Sequence, residues 1–479
     1  MGDKLRKQLL FYSFMLISFG IALSAILYFG AGLHPNQGSM VSTGGSSNEP
    51  AGNLYSVLQQ PLPLLLIQII VIVLSARTIG FLFQKINQPA VVGEMVAGIL
   101  LGPSLLGVLS PQIEAFLFPV KAMGILQMLS QVGIILFMFA VGVELDLKPL
   151  RRQTHAVVMI SHAGILVPFL LGTALSLFLF SYLPESNIPF NAFALFMGIA
   201  MSITAFPVLA RIIDERGLSK SPLGTTAIAC AAVDDVSAWC ILAIVIAVAK
   251  SQGLSSALLT ILLAVVFVLA MVFLIKPRAD RLLGTVKNSE VPKGVMVNVF
   301  IFVFASALFT EAIGIHALFG AFLAGIVMQN DSVLRHHIKQ SIEVFTSAFL
   351  LPLFFAYTGL RTQLGLITTW QSWLICIGII LVAITGKLGG STFAARWTGM
   401  SWHDALSIGT LMNTRGLMEL IALNIGYDLG ILPPQIFTMM VLMAISTTFM
   451  TGPLLSILGS LKQRVPVQPI KEEKLLTDL

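Results

Sequence analysis

GIAMSITAFPVLARII, residues 198–213, is an apolar run broken near its middle by a proline. Pro207 has no amide hydrogen, and its ring clashes with the preceding turn, so a helix through this run kinks or stops there. Ser202 and Thr204 place hydroxyls just before the break. A proline in a membrane helix is often only a kink, so the meaning of this one depends on its surroundings. They are apolar throughout. Of the 479 residues, 56% are hydrophobic and 10% charged, against about 25% charged in a soluble domain. The mean hydropathy is +0.92. Apolar runs of roughly 20 residues recur along the chain, the length a helix needs to cross a bilayer. Strand alternation is absent, which argues against a β-barrel. The composition describes an all-α polytopic membrane protein.

Fourteen hydrophobic segments are expected near 9–29, 62–84, 90–107, 122–144, 153–182, 190–213, 220–249, 255–275, 295–314, 316–329, 343–359, 371–394, 403–426 and 433–460. Lys4, Arg6 and Lys7 place the N-terminus inside. Alternation then puts Lys148, Arg151, Arg152, Arg211, Arg216 and Lys220 in inside loops. The cluster Lys276 to Lys293, then Arg335 and Lys339, and the C-terminal tail also fall inside. Only Lys121, Lys250 and Arg361 fall outside. The net charge of +6 is therefore read as membrane topology rather than a nucleic-acid surface. This orientation predicts a plasma (inner) membrane protein with a cytoplasmic C-terminus.

The first segment is followed by a Gly-, Ser- and Asn-rich loop, and residues 1–60 read as an anchor helix or signal peptide added to the fold. The remaining thirteen segments divide as six, one, six. Residues 61–250 form a first six-helix repeat, 251–290 a linker helix and inside loop, 291–461 a second repeat, and 462–479 a short tail. The blocks start on opposite sides, as in an inverted-repeat transporter.

Such transporters bind their ions at the midplane, where helices in corresponding positions are broken. The fifth segment of the first block carries Pro207. The fifth of the second reads TLMNTRGLMELIALNIG, residues 410–426, with Asn413, Thr414, Arg415, Gly416 and Glu419 interrupting the apolar run. Arg415 and Glu419, four apart, suit a local pair that steadies the broken segment. Midway along segment seven, AIACAAVDDVSAWCIL at 227–242, stand Asp234 and Asp235. A charge at a helix centre costs about 2.5–3.5 kcal/mol on insertion scales, so the pair needs water, a cation or a basic partner. Carboxylates this close repel, and one tends to take up a proton. Lys387, mid-segment in LVAITGKLGGSTFAA, is the available base. Adjacent helical residues point about 100° apart, so one aspartate can face Lys387 and the other an aqueous cavity. Sodium is a hard cation that prefers oxygen ligands, which Asp235, Thr204 and freed carbonyls can supply.

GEMVAGILLGPSLLG at 93–107, VGVELDLKPLRR at 141–152, SITAFPVLARII at 202–213, AAVDDVSAW at 231–239 and NTRGLMELIALNIG at 413–426 resemble the monovalent cation:proton antiporter-2 family, close to plant cation/proton exchangers. The resemblance covers about 62–460. It implies a 13-helix inverted-repeat fold with two crossed discontinuous helices, a core and a dimerisation domain, a homodimer, and elevator-like alternating access. It also implies that Asp235 carries Na⁺ or K⁺ in competition with a proton, that Asp234 pairs with Lys387, and that exchange is electrogenic. No cofactor is expected beyond the transported ions.

The rival readings are a channel-like conductor and a membrane enzyme using the aspartates. An aspartyl protease needs its two acids on separate helices, and a prenyltransferase needs further acids facing water; neither pattern occurs. His336 and His337 read as solvated loop, His162 and His316 as hydrogen-bonded packing residues, and Cys230, Cys240 and Cys376 as small packing residues without metal-ligand spacing.

Overall fold

In a bilayer every backbone amide and carbonyl must be satisfied within the protein, so apolar runs fold as helices. The computed structural model describes residues 57–86, 88–144, 154–182, 188–218, 221–250, 254–278, 292–328, 335 and 337–464. The expected N-terminal segment, residues 279–291 with most of the expected inside loop, His336 and the residues beyond 464 lie outside these residues. Among the described residues there is no strand.

The first helices are α1 (Pro61–Lys85), α2 (Ala90–Leu101), α3 (Val120–Glu144) and α4 (Thr154–Leu179). Two short helical stretches, Leu106–Leu109 and Pro111–Leu117, join α2 to α3. Then come α5 (Phe190–Ser202), α6 (Phe206–Glu215), α7 (Pro222–Lys250) and α8 (Leu254–Leu269), which runs on to Arg278 through a π-helical turn. They are followed by α9 (Lys293–Ala312), α10 (Ala317–Val327) and α11 (Leu351–Arg361), the last preceded by π-helical turns. α12 (Trp370–Ile384) passes through a π-helical turn, Thr385–Gly389, into α13 (Gly390–Trp397). The chain closes with α14 (Trp402–Met412), α15 (Leu417–Asp428) and α16 (Pro434–Arg464). Eleven stretches among the described residues are long and apolar enough to cross a membrane. The predicted segments 316–329 and 403–426 are present as shorter pieces, α10 and the interrupted α14–α15 run.

α2 crosses α11 with backbones in contact. A β-carbon on Gly359 would stand 2.2 Å from the Gly98 carbonyl carbon. Small residues allow this approach, and dispersion between the backbones holds it. α3 packs on α10 the same way, through Gly142 and Gly325. α8 is the least embedded helix, with Leu258, Leu262 and Phe273 exposed to the surrounding medium, as suits a lipid-facing connector. The buried polar residues concentrate where α4, α5, α6, α7 and α12 to α16 converge.

Candidate ion-binding site

Ile203 to Ala205 are unwound between α5 and α6, with Ile203 at φ −68°, ψ 134°. Pro207 sits in the first turn of α6, where its missing amide costs nothing. α14 and α15 are separated at 413–416, and Gly416 has φ +156°, ψ −126°, a conformation close to glycine-only. The two unwound pieces cross. Ala205 N donates to Thr414 O at 3.0 Å, and Thr204 Oγ1 donates to Met412 O at 3.2 Å. The crossed broken helices implied by resemblance are present, and each supplies backbone partners that the other freed.

Arg415 caps the buried C-terminal end of α5. Its guanidinium donates to Ala200 O at 3.1 Å and Met201 O at 2.6 Å, placing positive charge on carbonyls that form the negative end of a helix. Glu419 lies 3.3 Å from Arg415, so the local pair expected from their spacing forms. The reach of Arg415 to the other broken helix was not legible from that spacing. Thr448 of α16 fixes the Arg415 backbone, accepting from its N–H at 3.0 Å and donating to its carbonyl at 2.6 Å.

Asp234 and Lys387 meet at the crossing, both fully buried. Lys387 Nζ is 3.1 Å from Asp234 Oδ1 and 3.2 Å from Oδ2. Thr204 N donates to Asp234 Oδ2 at 2.9 Å. The ammonium also donates to the Ser202 carbonyl. Lys387 lies within the π-helical turn between α12 and α13, a feature frequent at functional sites. The Ser202 hydroxyl turns away, donating to Gly198 O and Ile165 O, so Ser202 meets Lys387 through its backbone.

Asp235 is fully buried, and neither carboxylate oxygen has a hydrogen-bond partner among the described residues. The side chains of Asn413 and Thr414 are equally buried and unpartnered. The sequence predicts an aqueous cavity at one aspartate; here both are 0% exposed. No open path leads from the surface to either carboxylate in this conformation.

A separate cavity of about 340 Å³ lies between α3, α10, α11 and α15, lined in part by Gln127, Gln131, His316, Asn424 and Asp428. Arg361, expected only as a loop charge, borders this region. It pairs with Asp428 at 2.7 Å and donates to Asn424 Oδ1 at 3.2 Å, tying the end of α11 to the end of α15. His316 caps α10 by accepting from Leu318 N. His162 bonds Val158 O at 2.8 Å but faces outward. Three further buried hydroxyls, those of Ser161, Ser391 and Thr392, have no hydrogen-bond partner among the described residues; the sequence signal for them is only that Ser391 follows Lys387 by four residues in an otherwise small and apolar stretch.

Crossed half-helices around a buried carboxylate pair and lysine define an integral membrane transporter of discontinuous-helix type. The chain belongs to the sodium/hydrogen exchanger transmembrane family, whose sequence profile matches residues 70–460. It is 45% identical over 393 residues to the Na(+)/H(+) antiporter NhaS4 of Synechocystis sp., covering 82% of this chain and 96% of the relative. It is 40% identical to Cation/H(+) antiporter 17 of Arabidopsis thaliana and 32% identical to K(+)/H(+) antiporter 1 of Saccharomyces cerevisiae. Those matches cover 83% and 82% of this chain, and 48% and 46% of the relatives, so the chain spans about half their length. In fold it resembles the sodium proton antiporter MjNhaP1 of Methanocaldococcus jannaschii, with a TM-score of 0.61 at 14% identity over 84% of this chain and 98% of the other.

Proposed function

We propose that the protein exchanges a monovalent cation, Na⁺ or K⁺, for protons across a membrane by alternating access, with both ions competing for Asp235. One observation carries this reading: a fully buried carboxylate on α7, next in sequence to the Asp234–Lys387 pair at the crossing, with no hydrogen-bond partner for either oxygen among the described residues. A buried anion left this way needs a proton or a cation, and it accommodates one at a time. Asp234 is already matched by Lys387 and the Thr204 amide, so the variable charge belongs to Asp235. The Thr204 hydroxyl, which keeps its lone pairs while donating to Met412 O, and the unpartnered oxygens of Asn413 and Thr414 are the oxygen ligands a hard cation prefers. The names of the relatives support cation/proton exchange as the class.

In this reading 61–250 and 291–461 are inverted repeats joined by a linker at 251–290, the protein is a homodimer of an inner or plasma membrane, and its tail is cytoplasmic. Packing supports a division into two bodies: α1, α2 and α3 gather with α9, α10 and α11, while the remaining helices other than α8 surround the site. Proteoliposomes carrying an imposed Na⁺ or K⁺ gradient test the assignment. Asp235→Asn is expected to abolish cation-driven proton movement while leaving the protein folded. Exchange at the wild-type rate in that variant refutes the role of Asp235.

A further inference from the structure

RWTGMSW, residues 396–402, places one cation between two tryptophans in the turn from α13 to α14. Four of the chain's five tryptophans stand near the two ends of one membrane crossing: Trp370 and Trp373 at the start of α12, Trp397 and Trp402 at the opposite end. The run Trp370–Trp397 is 28 residues long, about 40 Å at a rise of about 1.5 Å per residue. A hydrocarbon core is about 30 Å thick, so both ends reach the headgroup level, where amphipathic indole rings are enriched.

Gly399, at φ +95°, reverses the chain after α13, and its amide donates to the Arg396 carbonyl at 3.0 Å. The turn brings Trp402 back over Arg396, with the guanidinium 5.4 Å from the ring centroid. The guanidinium donates to Met400 O at 2.8 Å, which leaves most of its five N–H donors to spare. Arg396 forms no ion pair among the described residues. Asp404, the nearest acid in sequence, is engaged elsewhere: it accepts from Ser401 Oγ at 2.9 Å and lies 3.3 Å from His403 Nδ1. On the outer face of α13, Phe393 and Trp397 are 65% and 71% exposed, with rings 5.8 Å apart, and Trp402 is 59% exposed. A cation with spare donors thus stands beside an uncovered apolar wedge at headgroup depth. One lipid matches both parts, its phosphate meeting the guanidinium and its acyl chains the rings.

We propose that Arg396, framed by Trp397 and Trp402, binds the headgroup of an anionic phospholipid whose acyl chains lie along Phe393 and Trp397. A zwitterionic lipid also carries a phosphate, but its own ammonium offsets the attraction, whereas an anionic headgroup keeps it. The site stands on the same helical run as Lys387, roughly 14 Å from it along the axis at a rise of about 1.5 Å per residue. Bound lipid therefore holds the Lys387-bearing run at one depth in the bilayer. The inference goes beyond the exchange reading and stands independently of which ions are carried.

Tryptophan quenching tests this in the full-length protein carrying Trp370→Phe and Trp373→Phe, so that emission comes from Trp397, Trp402 and the buried Trp239. The protein is reconstituted in phosphatidylcholine vesicles containing increasing amounts of phosphatidylglycerol or phosphatidylcholine brominated on the acyl chains. Half-maximal quenching is expected at an about fivefold lower mole fraction of the brominated phosphatidylglycerol, the preference one basic residue draws from an anionic surface. Arg396→Gln should bring the two lipids to parity, and Arg396→Lys should keep most of the preference because the charge remains. Arg278→Gln removes another exposed cation, at the end of the α8 run, and should leave the preference unchanged. With Arg396 intact, salt at about 1 M, where the screening length is about 3 Å, should also abolish the preference; this reading needs no variant at 396. Equal quenching by the two lipids overturns the proposal. So does a preference that survives Arg396→Gln or high salt, or one lost equally with Arg278→Gln, which assigns it to the overall surface charge.

Discussion

Removing either member of the buried Lys387–Asp234 pair should destabilise the protein more than removing both. Lys387→Met leaves Asp234, fully buried, with Thr204 as its remaining hydrogen-bonding residue among the described residues and no positive charge beside it. Asp234→Asn leaves Lys387 on the Ser202 carbonyl and an uncharged amide. An uncompensated buried charge costs about 3–5 kcal/mol. Each kcal/mol shifts a midpoint by about 2–4 °C in chains of 150–250 residues and less in longer ones. At about 1–2 °C per kcal/mol, each single variant should unfold roughly 3–10 °C below wild type. The double variant Asp234→Asn/Lys387→Met holds no orphan charge, so it should unfold above both singles. The assay is thermal unfolding of detergent-solubilised protein at one fixed scan rate, since membrane proteins unfold irreversibly. A Lys387→Met midpoint equal to wild type refutes the argument. So does a double variant whose loss equals the sum of the singles, because independent sites add and coupled ones do not.

Two other substitutions probe the frame around the site. Arg415→Lys keeps the charge but loses the fork that reaches Ala200 O and Met201 O together, and a lysine ammonium is a point donor. It should lower stability by about 1–3 kcal/mol, since one carbonyl at the end of α5 goes unsatisfied; an unchanged unfolding midpoint contradicts this. Arg361→Gln breaks the tie between α11 and α15; the Arg361 side chain is 15% exposed, against 35% for Asp428, and its guanidinium also lies over the Tyr357 and Tyr427 rings, so the loss should be about 1–2 kcal/mol. The exchange rate should change as well, because α15 must part from α11 if the two bodies slide; wild-type turnover in vesicles argues against that motion.

The sequence alone settled the features that a bilayer makes conspicuous. Lipid offers backbone groups no partners, so long apolar runs could only be helices, and Pro207 and the NTRG stretch at 413–416 marked where those helices stop. Lipid also penalises charge, so Asp234, Asp235 and Lys387 stood out as groups that had to find one another or an ion. Tertiary structure decided what depends on helix rotation and crossing. Residue spacing left open which aspartate meets Lys387, and resemblance alone had named Asp234. The guanidinium of Arg415 had an obvious neighbour in Glu419, yet its stronger contacts lie on α5, more than two hundred residues away in sequence. Ser391 looks like an ordinary small residue until α4 and α13 come together at Gly164, because a serine is cheap to bury in a helix and announces nothing until its hydroxyl is left without a partner.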